Sequence, residues 1–198
     1  MVTPNDELTP ELVLHAYRVG VFPMADEDGE IGWFSPDPRC IFPLDGFHVP
    51  RSLRQAIRRG VFETRVDTAF HDVIAACADR PEGTWISDEI INVYETLHRQ
   101  GHAHSVESWQ AGKLAGGLYG VAIGGAFFGE SMFTRVTDAS KVALAALIQR
   151  LRSRGFVLLD TQWNTPHLAR FGAREIRRAE YLRRLEAALA LPISFGDD

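Results

Sequence analysis

Apolar residues at helical spacing predict four helices in the first half of the chain. The first begins at Thr9-Pro10 and ends at Gly20, because a hydroxyl N-cap followed by proline starts a helix and glycine ends one. Three more are predicted at 50–59, 68–77 and 87–101. Residues 21–50 are rich in Pro, Gly and aromatic residues, which is typical of a small, irregular N-terminal unit with short extended pieces.

The pattern changes to alternation after residue 101, and strands replace helices. Three runs are separated by the short turns 110–113 and 123–125, and a long helix capped by Asp138 follows. The predicted elements are a strand at 61–67, the three runs at 103–109, 114–122 and 126–133, a helix at 139–152, a buried strand at 156–160, and helices from 165 to 172 and 179 to 189.

A meander followed by a helix and a parallel strand predicts a mixed α/β (α+β) protein of the kind seen in acyltransferase-like domains. We expect a small N-terminal domain over residues 1–60 and a larger domain over 61–198. Hydrophobic residues make up 45% of the 198, which is enough for a sizeable core.

Charge is distributed unevenly about a net value of −5. Residues 1–50 carry 2 basic and 9 acidic side chains, a balance of −7, and the remaining residues carry 19 and 17, a balance of +2. Residues 141–184 hold ten basic against three acidic side chains. Such a segment is most often a solvated face, but it could also bind a phosphate backbone.

The chain shows no sign of export or of a membrane span. Its first six residues have neither a basic nor an apolar region typical of a signal peptide, and Cys40 and Cys77 have no motif spacing. We therefore expect a cytoplasmic protein with reduced thiols, and no membrane or DNA partner. The seven histidines form no metal-binding motif, and none of the nucleotide-binding or nucleophile-elbow motifs occurs.

Three polar groups could perform chemistry. Asp160 and Gln162 stand at the end of a buried strand, where α/β sheets bind ligands, although the same residues could form a turn. Glu130 interrupts an apolar strand, so it is paired, exposed or used to bind a cation. Ser140-Lys141 opens a helix, where it could bind an anion or serve in ordinary capping.

Aromatic residues are frequent on the strands and loops, and some could line a pocket or stack on a base, while most are expected in the core. They are Trp33, Phe34, Trp85, Tyr94, Trp109, Tyr119, Phe127 and Phe128.

Taken together, a series of segments resembles the leucyl/phenylalanyl-tRNA–protein transferase family in the family's order and over nearly the whole chain. They are Gly20–Pro23, Trp33–Arg39, Gly83–Ile86, Gly101–Glu107, Gly116–Ala122, Gly129–Phe133, Ala139–Lys141, Asp160–Gln162 and Leu168–Ala173. The chain differs at Met24 and Phe34, where the family usually has Trp, and at Thr161, where Cys is common. These differences bear on the choice of donor amino acid more than on the reaction.

The resemblance implies an acetyltransferase-like (acyl-CoA N-acyltransferase) fold behind a small N-terminal domain. It also implies transfer of Leu or Phe, with Met as a further possible donor, from aminoacyl-tRNA to proteins with N-terminal Arg or Lys. That modification marks the acceptor for degradation by the N-degron pathway. No cofactor is implied, because the ester on tRNA is already activated.

The resemblance also assigns roles to individual residues. Gln162 would contact the attacking amine, Asp160 would assist its deprotonation, and Glu130 would recognise the amine or the basic side chain of the acceptor. An aromatic pocket for the Leu or Phe side chain of the donor is expected at Phe34, Trp85, Tyr94, Phe127 and Met132, with further substrate contacts at Ser140 and Lys141. Contacts with tRNA are expected at Arg150, Arg154, Arg174, Arg177 and Arg178.

Three alternatives remain open from the sequence. An acetyl-CoA-dependent N-acetyltransferase would need a glycine-rich pyrophosphate loop where 135–141 has no glycine. A peptidoglycan-type aminoacyl transferase is usually longer, with a coiled-coil insertion. A non-catalytic tRNA- or peptide-binding module would not need Asp160, Gln162 and Glu130.

Overall fold

The computed structural model describes residues 8–196, so the N-terminal hexapeptide that suggested the absence of a signal peptide lies outside the described range. Seven α-helices are described: α1 Pro10–Arg18, α2 Arg51–Arg58, α3 Phe70–Ala78, α4 Asp88–Arg99, α5 Ala139–Arg154, α6 Pro166–Ala169 and α7 Arg178–Leu189. The strands are β1 Phe22–Ala25, β2 Ile31–Phe34, β3 Arg39–Phe42, β4 Glu63–Val66, β5 Ala103–Gln110, β6 Lys113–Ile123, β7 Ala126–Thr134, β8 Leu158–Gln162 and β9 Arg174–Ile176. Within 8–196, no helix is both long and apolar enough to cross a membrane.

Seven strands form one mixed sheet in the order β4-β5-β6-β7-β8-β3-β9. Neighbours pair antiparallel except β7 and β8, which are parallel and joined through α5. β1 and β2 form a separate antiparallel hairpin. The predicted mixed α/β class, the meander and the parallel step are therefore confirmed.

Hydrophobic clusters cover both faces of the sheet, because side chains alternate along each strand. One cluster packs the sheet against α1, α3, α4 and α7, with Val13, Val73, Tyr94 and Tyr181 among its members. The other packs it against α5 and includes Leu147. We call these the α3/α4 face and the α5 face.

Three expectations about local structure need correction. Asp138 does not cap α5 with its side chain: its backbone is left-handed (φ 71°), and its carboxylate instead contacts Lys141 Nζ at 2.6 Å. β8 covers Leu158–Gln162 instead of the predicted 156–160, and the Asp-x-Gln element forms its C-terminal end, as expected. β1 and β9 were not predicted, because each is very short.

The small N-terminal unit contributes a strand to the large sheet. β3 lies between β8 and β9, although residues 39–42 precede the proposed boundary at residue 60. The division into 1–60 and 61–198 stays a prediction. Cys40 of β3 and Cys77 of α3 are buried free thiols.

A β-bulge and a strand separation shape the middle of the sheet. β6 pairs Gly120 with Gly129 and Tyr119 with Ser131, so Glu130 is an extra residue on β7. Pairing of β7 with β8 is described from Ala126 as far as Phe128, opposite Asp160. The two strands therefore separate just where Glu130 and Gln162 follow.

Candidate active site

A cavity of about 300 Å³ opens where β7 and β8 separate. Its two sides come from the two faces of the sheet. The first, which we call the aliphatic wall, is formed on the α5 face by Leu118, Met132, Leu144, Leu147, Leu159 and Leu168. The second, the polar wall, consists of Arg80, Trp85, Tyr119, Glu130 and Ser131. The lining is completed by Gly129 of β7, by the end of β8 and by the segment that follows β8, with Thr161, Gln162, Trp163, Thr165 and His167.

Asp160 lies behind the cavity in a fully buried hydrogen-bond network. Arg39 donates from Nε to Oδ1 at 2.9 Å and from Nη2 to Oδ2 at 2.6 Å, and both side chains are almost completely buried. Tyr181 donates its hydroxyl to Oδ2 at 2.8 Å. The backbone N–H of Gln162 donates to Oδ1 at 2.9 Å. Both carboxylate oxygens are therefore occupied by donors, which is the arrangement that allows a charge to be buried.

Gln162 adopts a left-handed backbone conformation (φ 56°), which is uncommon for a residue other than glycine. Its N–H is held by Asp160, and its Nε2 donates to Glu130 Oε1 at 3.0 Å. With the amide nitrogen engaged, the carbonyl oxygen of the side chain is the atom that can accept a hydrogen bond from a ligand. Asp160 thus sets the direction in which Gln162 points.

Glu130 is partly buried where the two walls meet, and its pKa is raised to about 8. Removal of the carboxylate from water is the main cause, and the charge of Asp160 adds to it, while the hydroxyls of Tyr17 and Tyr94 and the charge of Arg39 oppose it. Tyr94 donates to Glu130 Oε2 at 3.4 Å, and the Tyr17 and Tyr94 hydroxyls lie 2.5 Å apart. Glu130 can therefore exchange a proton near neutral pH.

The structure brings together most of the predicted chemical residues. Glu130, Gln162, Trp85 and Met132 line the cavity, and Tyr94 supports Glu130 from behind. Asp160 joins them through Gln162.

Phe34 and Phe127 do not line the cavity. Phe127 is fully buried in the α5-face cluster and packs on Phe195, with 5.1 Å between ring centroids. Phe34 is 40% exposed on the β1–β2 hairpin, edge-on to Trp163 at 6.0 Å. The expected aromatic pocket is mainly aliphatic, because leucines from α5, β6 and β8 occupy positions that single-residue aromatic signals could not reveal.

Ser140 and Lys141 lie at the start of α5, outside the cavity lining. The Ser140 N–H is 3.5 Å from Thr134 Oγ1, and Lys141 pairs with Asp138. Burial lowers the pKa of His167, and the charges of Lys141 and Arg170 add to that effect. The charge of Lys141 therefore contributes to the lowered pKa of His167, a residue of the cavity lining.

Comparison with known proteins identifies the family. Residues 41–186 match the leucyl/phenylalanyl-tRNA protein transferase family, and residues 6–37 match the N-terminal domain of the same family. The chain belongs to this family. It is 58% identical to the leucyl/phenylalanyl-tRNA–protein transferase of Rubrobacter xylanophilus, over 96% of this chain and 99% of that protein. Identity to the protein of the same name from Gloeobacter violaceus is 59%, over 95% and 97% of the two chains.

A distant likeness exists among solved structures. The C-terminal domain of a putative lysylphosphatidylglycerol synthetase from Agrobacterium fabrum aligns with a TM-score of 0.42 and 14% identity, covering 94% of this chain and 60% of that one. That score is too low to support an inference.

In this family member, the arginines expected to bind tRNA have several structural partners. Arg150 donates to the Phe195 carbonyl from Nε and Nη2, and Arg154 donates to the Gly196 carbonyl, so both hold the C-terminal segment. Arg178 contacts Asp37 and the Ser35 carbonyl, while Arg174 and Arg177 are exposed. Their contact with tRNA stays a prediction.

Helix α2 carries a basic surface that was not among the predicted tRNA contacts. Arg51, Arg54, Arg58 and Arg59 are exposed around this helix, which contains no acidic residue, and Leu53 anchors it in the α5-face cluster. The signal was visible in the sequence as basic residues at spacings of three and four.

We predict that Arg39→Met lowers the free energy of unfolding by about 3–5 kcal/mol, because it leaves the Asp160 carboxylate buried without its cation. Adding Asp160→Asn should restore part of the loss by removing that charge. Arg178→Met is a matched control, because its ion pair with Asp37 is exposed and should contribute less than about 1 kcal/mol. Urea denaturation at pH 7 provides the measurement, and equal losses in the two single variants would contradict the prediction.

We predict that Glu130 makes the protein less stable as pH rises from about 4.5 to about 8. In that window the native state keeps the Glu130 proton while the unfolded chain has released it, so a rising pH favours the unfolded state. The difference in unfolding free energy between the wild type and Glu130→Gln should fall by at most about 1.4 kcal/mol per pH unit and level off above pH 8. Parallel stability curves for the two proteins would show that Glu130 titrates normally.

Proposed function

We propose that this chain transfers leucine or phenylalanine from aminoacyl-tRNA to the α-amino group of proteins that begin with Arg or Lys, in the cytoplasm, and so marks them for degradation. The observation that supports this proposal most directly is that Glu130 and Gln162 lie together where the aliphatic wall meets the polar wall. An apolar donor and a cationic acceptor can therefore meet at one pair of polar groups.

The aliphatic wall suits the side chain of the donor. It is formed by five leucines and Met132, none of them charged. Burial of a Leu or Phe side chain there contributes about 1.5–3 kcal/mol, whereas a charged side chain would lose its hydration without gaining a partner. Because the wall consists of flexible aliphatic side chains, methionine is a third compatible donor.

The reaction needs an uncharged amine beside the ester. Glu130, with a pKa of about 8, is matched to an α-ammonium group, whose ordinary pKa is about 7.7–8.0, so a proton can pass between them with little cost. The Gln162 carbonyl oxygen accepts a hydrogen bond from the amine and aims its lone pair. A C–N bond forms at the ester carbonyl, the C–O bond to the tRNA ribose breaks, and the ribose oxygen leaves with a proton.

The hydrogen bonds of Asp160 support a positioning role for this residue. Its oxygens already accept hydrogen bonds from Arg39, Tyr181 and the Gln162 N–H, so it is poorly suited to take a further proton from the amine. It acts instead by fixing the backbone of Gln162. Glu130 is the better candidate for the proton acceptor.

Helix α2 is the best-supported surface for tRNA. Its four exposed arginines would contact phosphates, which give affinity without base specificity. The helix packs on the α5 face, the same face that supplies the aliphatic wall.

The function is tested by transfer of radiolabelled leucine or phenylalanine from charged tRNA to a reporter with N-terminal Arg, beside a reporter with N-terminal Ala. We expect label on the Arg reporter only. Gln162→Ala should lower kcat by about a hundredfold or more, because the amine loses its orienting group. Val157→Ala, at an exposed site before β8, is the folded control.

Absence of label with folded protein and intact charged tRNA would contradict the proposal. An arm with labelled acetyl-CoA in place of charged tRNA tests the N-acetyltransferase alternative, and we expect no transfer in it.

We also predict that tRNA binding depends on α2 through phosphates. The double variant Arg54→Gln/Arg58→Gln should weaken binding and reduce the slope of log K against log salt by about one unit per lost phosphate contact. Arg99→Gln on α4, exposed on the opposite face of the sheet, is the matched control and should change neither quantity. Filter binding at several salt concentrations gives both values, and an unchanged slope would exclude α2 as the phosphate-binding surface.

A further inference from the structure

Tyr119 carries a buried hydroxyl that has no hydrogen-bond partner within the described part of the chain. The residue is fully buried in the α3/α4-face cluster. An unpaired buried hydroxyl destabilises a folded protein, and almost all such groups are paired in native structures. An unpaired hydroxyl at a substrate cavity therefore suggests a partner that arrives with the substrate.

The Tyr119 ring is held in place by other rings. It lies edge-on to Tyr94, with centroids 5.8 Å apart, and edge-on to Phe70 at 5.9 Å. Its position on β6 is opposite Ser131, next to the Glu130 bulge, and it forms part of the polar wall. The packing of the ring therefore fixes the position of the hydroxyl, so it cannot move to a hydrogen-bond partner elsewhere in the protein.

Two charged residues of the polar wall, Glu130 and Arg80, act on the pKa of the Tyr119 hydroxyl. Burial raises its pKa most, the charge of Glu130 raises it further, and the charge of Arg80 lowers it. Arg80 itself is already engaged, since Nη2 donates to Ser131 Oγ at 2.9 Å and to the Met132 carbonyl at 3.1 Å. Among the buried side-chain polar atoms of the described residues, the Tyr119 oxygen is the one without a hydrogen-bond partner.

We infer that the Tyr119 hydroxyl binds the N-terminal residue of the acceptor protein by accepting a hydrogen bond from its basic side chain. This inference rests on the proposed function. The apolar donor side chain occupies the aliphatic wall, which leaves the polar wall for the acceptor. A cation there has the Tyr119 oxygen as a neutral acceptor, and its charge favours the ionised form of Glu130, which is the form that can accept the proton of the α-amine.

Because the Tyr119 hydroxyl has no hydrogen-bond partner in the described structure, the Tyr119→Phe variant separates an effect on function from an effect on stability. Removal of this hydroxyl breaks no hydrogen bond within the described structure, so it should leave the melting temperature unchanged or raise it. Any loss of function then reports a contact with the substrate. Tyr94→Phe is the contrasting control, because its hydroxyl is bonded to Tyr17 and Glu130, and its loss should lower the melting temperature.

The experiment measures direct binding of a short peptide with N-terminal Arg to the wild type and to Tyr119→Phe by calorimetry, without tRNA. A matched peptide with N-terminal Ala serves as the specificity control. We expect the variant to bind the Arg peptide about tenfold or more weakly, the loss of one hydrogen bond to a charged group. In transfer assays, KM for the Arg reporter should rise by a similar factor, with KM for charged tRNA unchanged.

Three results would overturn the inference: equal Arg-peptide affinity in the two proteins, a rise in KM for charged tRNA instead of the acceptor, or a lower melting temperature for Tyr119→Phe. The last result would mean that the hydroxyl is already bonded in the free protein, for example to a buried water. Failure of the proposed function would appear separately, as absence of transfer by the wild type.

Discussion

The ion pair between Arg39 and Asp160 is the interaction on which the rest of the site depends. Arg39 comes from β3 and Asp160 from the adjacent β8, and the guanidinium also donates to the Gly20 carbonyl and lies over the rings of Phe22 and Tyr181. One buried cation therefore ties the N-terminal hairpin, the central sheet and α7 together. Because burial of a single charge would be very unfavourable, the pair forms only when all these elements are in place.

Two carboxylates a short distance apart have opposite chemical characters because of their surroundings. Both oxygens of Asp160 accept hydrogen bonds, one of the donors being cationic, so this carboxylate fixes geometry. Burial raises the pKa of Glu130, and within residues 8–196 its hydrogen-bond donors are neutral, so it binds a proton at a pH where free glutamate would not. Separation of acid–base roles by environment is a common device in enzymes. Here Gln162 lies between the two groups and is bonded to both.

Much of the fold was predictable because its periodic elements are long. The meander, α5 and the parallel return to β8 follow from alternation, helical spacing and glycine positions. The short strands β1 and β9 were not predictable, since three or four residues carry too little periodicity. The position of β3 between β8 and β9 is determined by tertiary packing, and no pattern in the local sequence indicates it.

The chemistry of the site was easier to predict than its walls. Glu130, Asp160 and Gln162 stood out because polar groups rarely interrupt apolar strands without a reason. The aliphatic wall could not be foreseen, since Leu144, Leu147 and Leu159 look like any other core leucine until α5 is packed on the sheet. Arg39 was visible only as part of a family motif, and nothing in the local sequence showed that it would be completely buried.

The placement of β3 has a consequence for the order of events on the ribosome. Arg39 and Asp160 are 121 residues apart, so β3 emerges long before either of its neighbours in the sheet has been synthesised. Until then its backbone and its cation stay without their native partners, a state that favours chaperone contact over native pairing. Assembly of the catalytic geometry therefore waits until α7 has been synthesised, and a nascent chain that stalls before Tyr181 cannot form the complete network around Asp160.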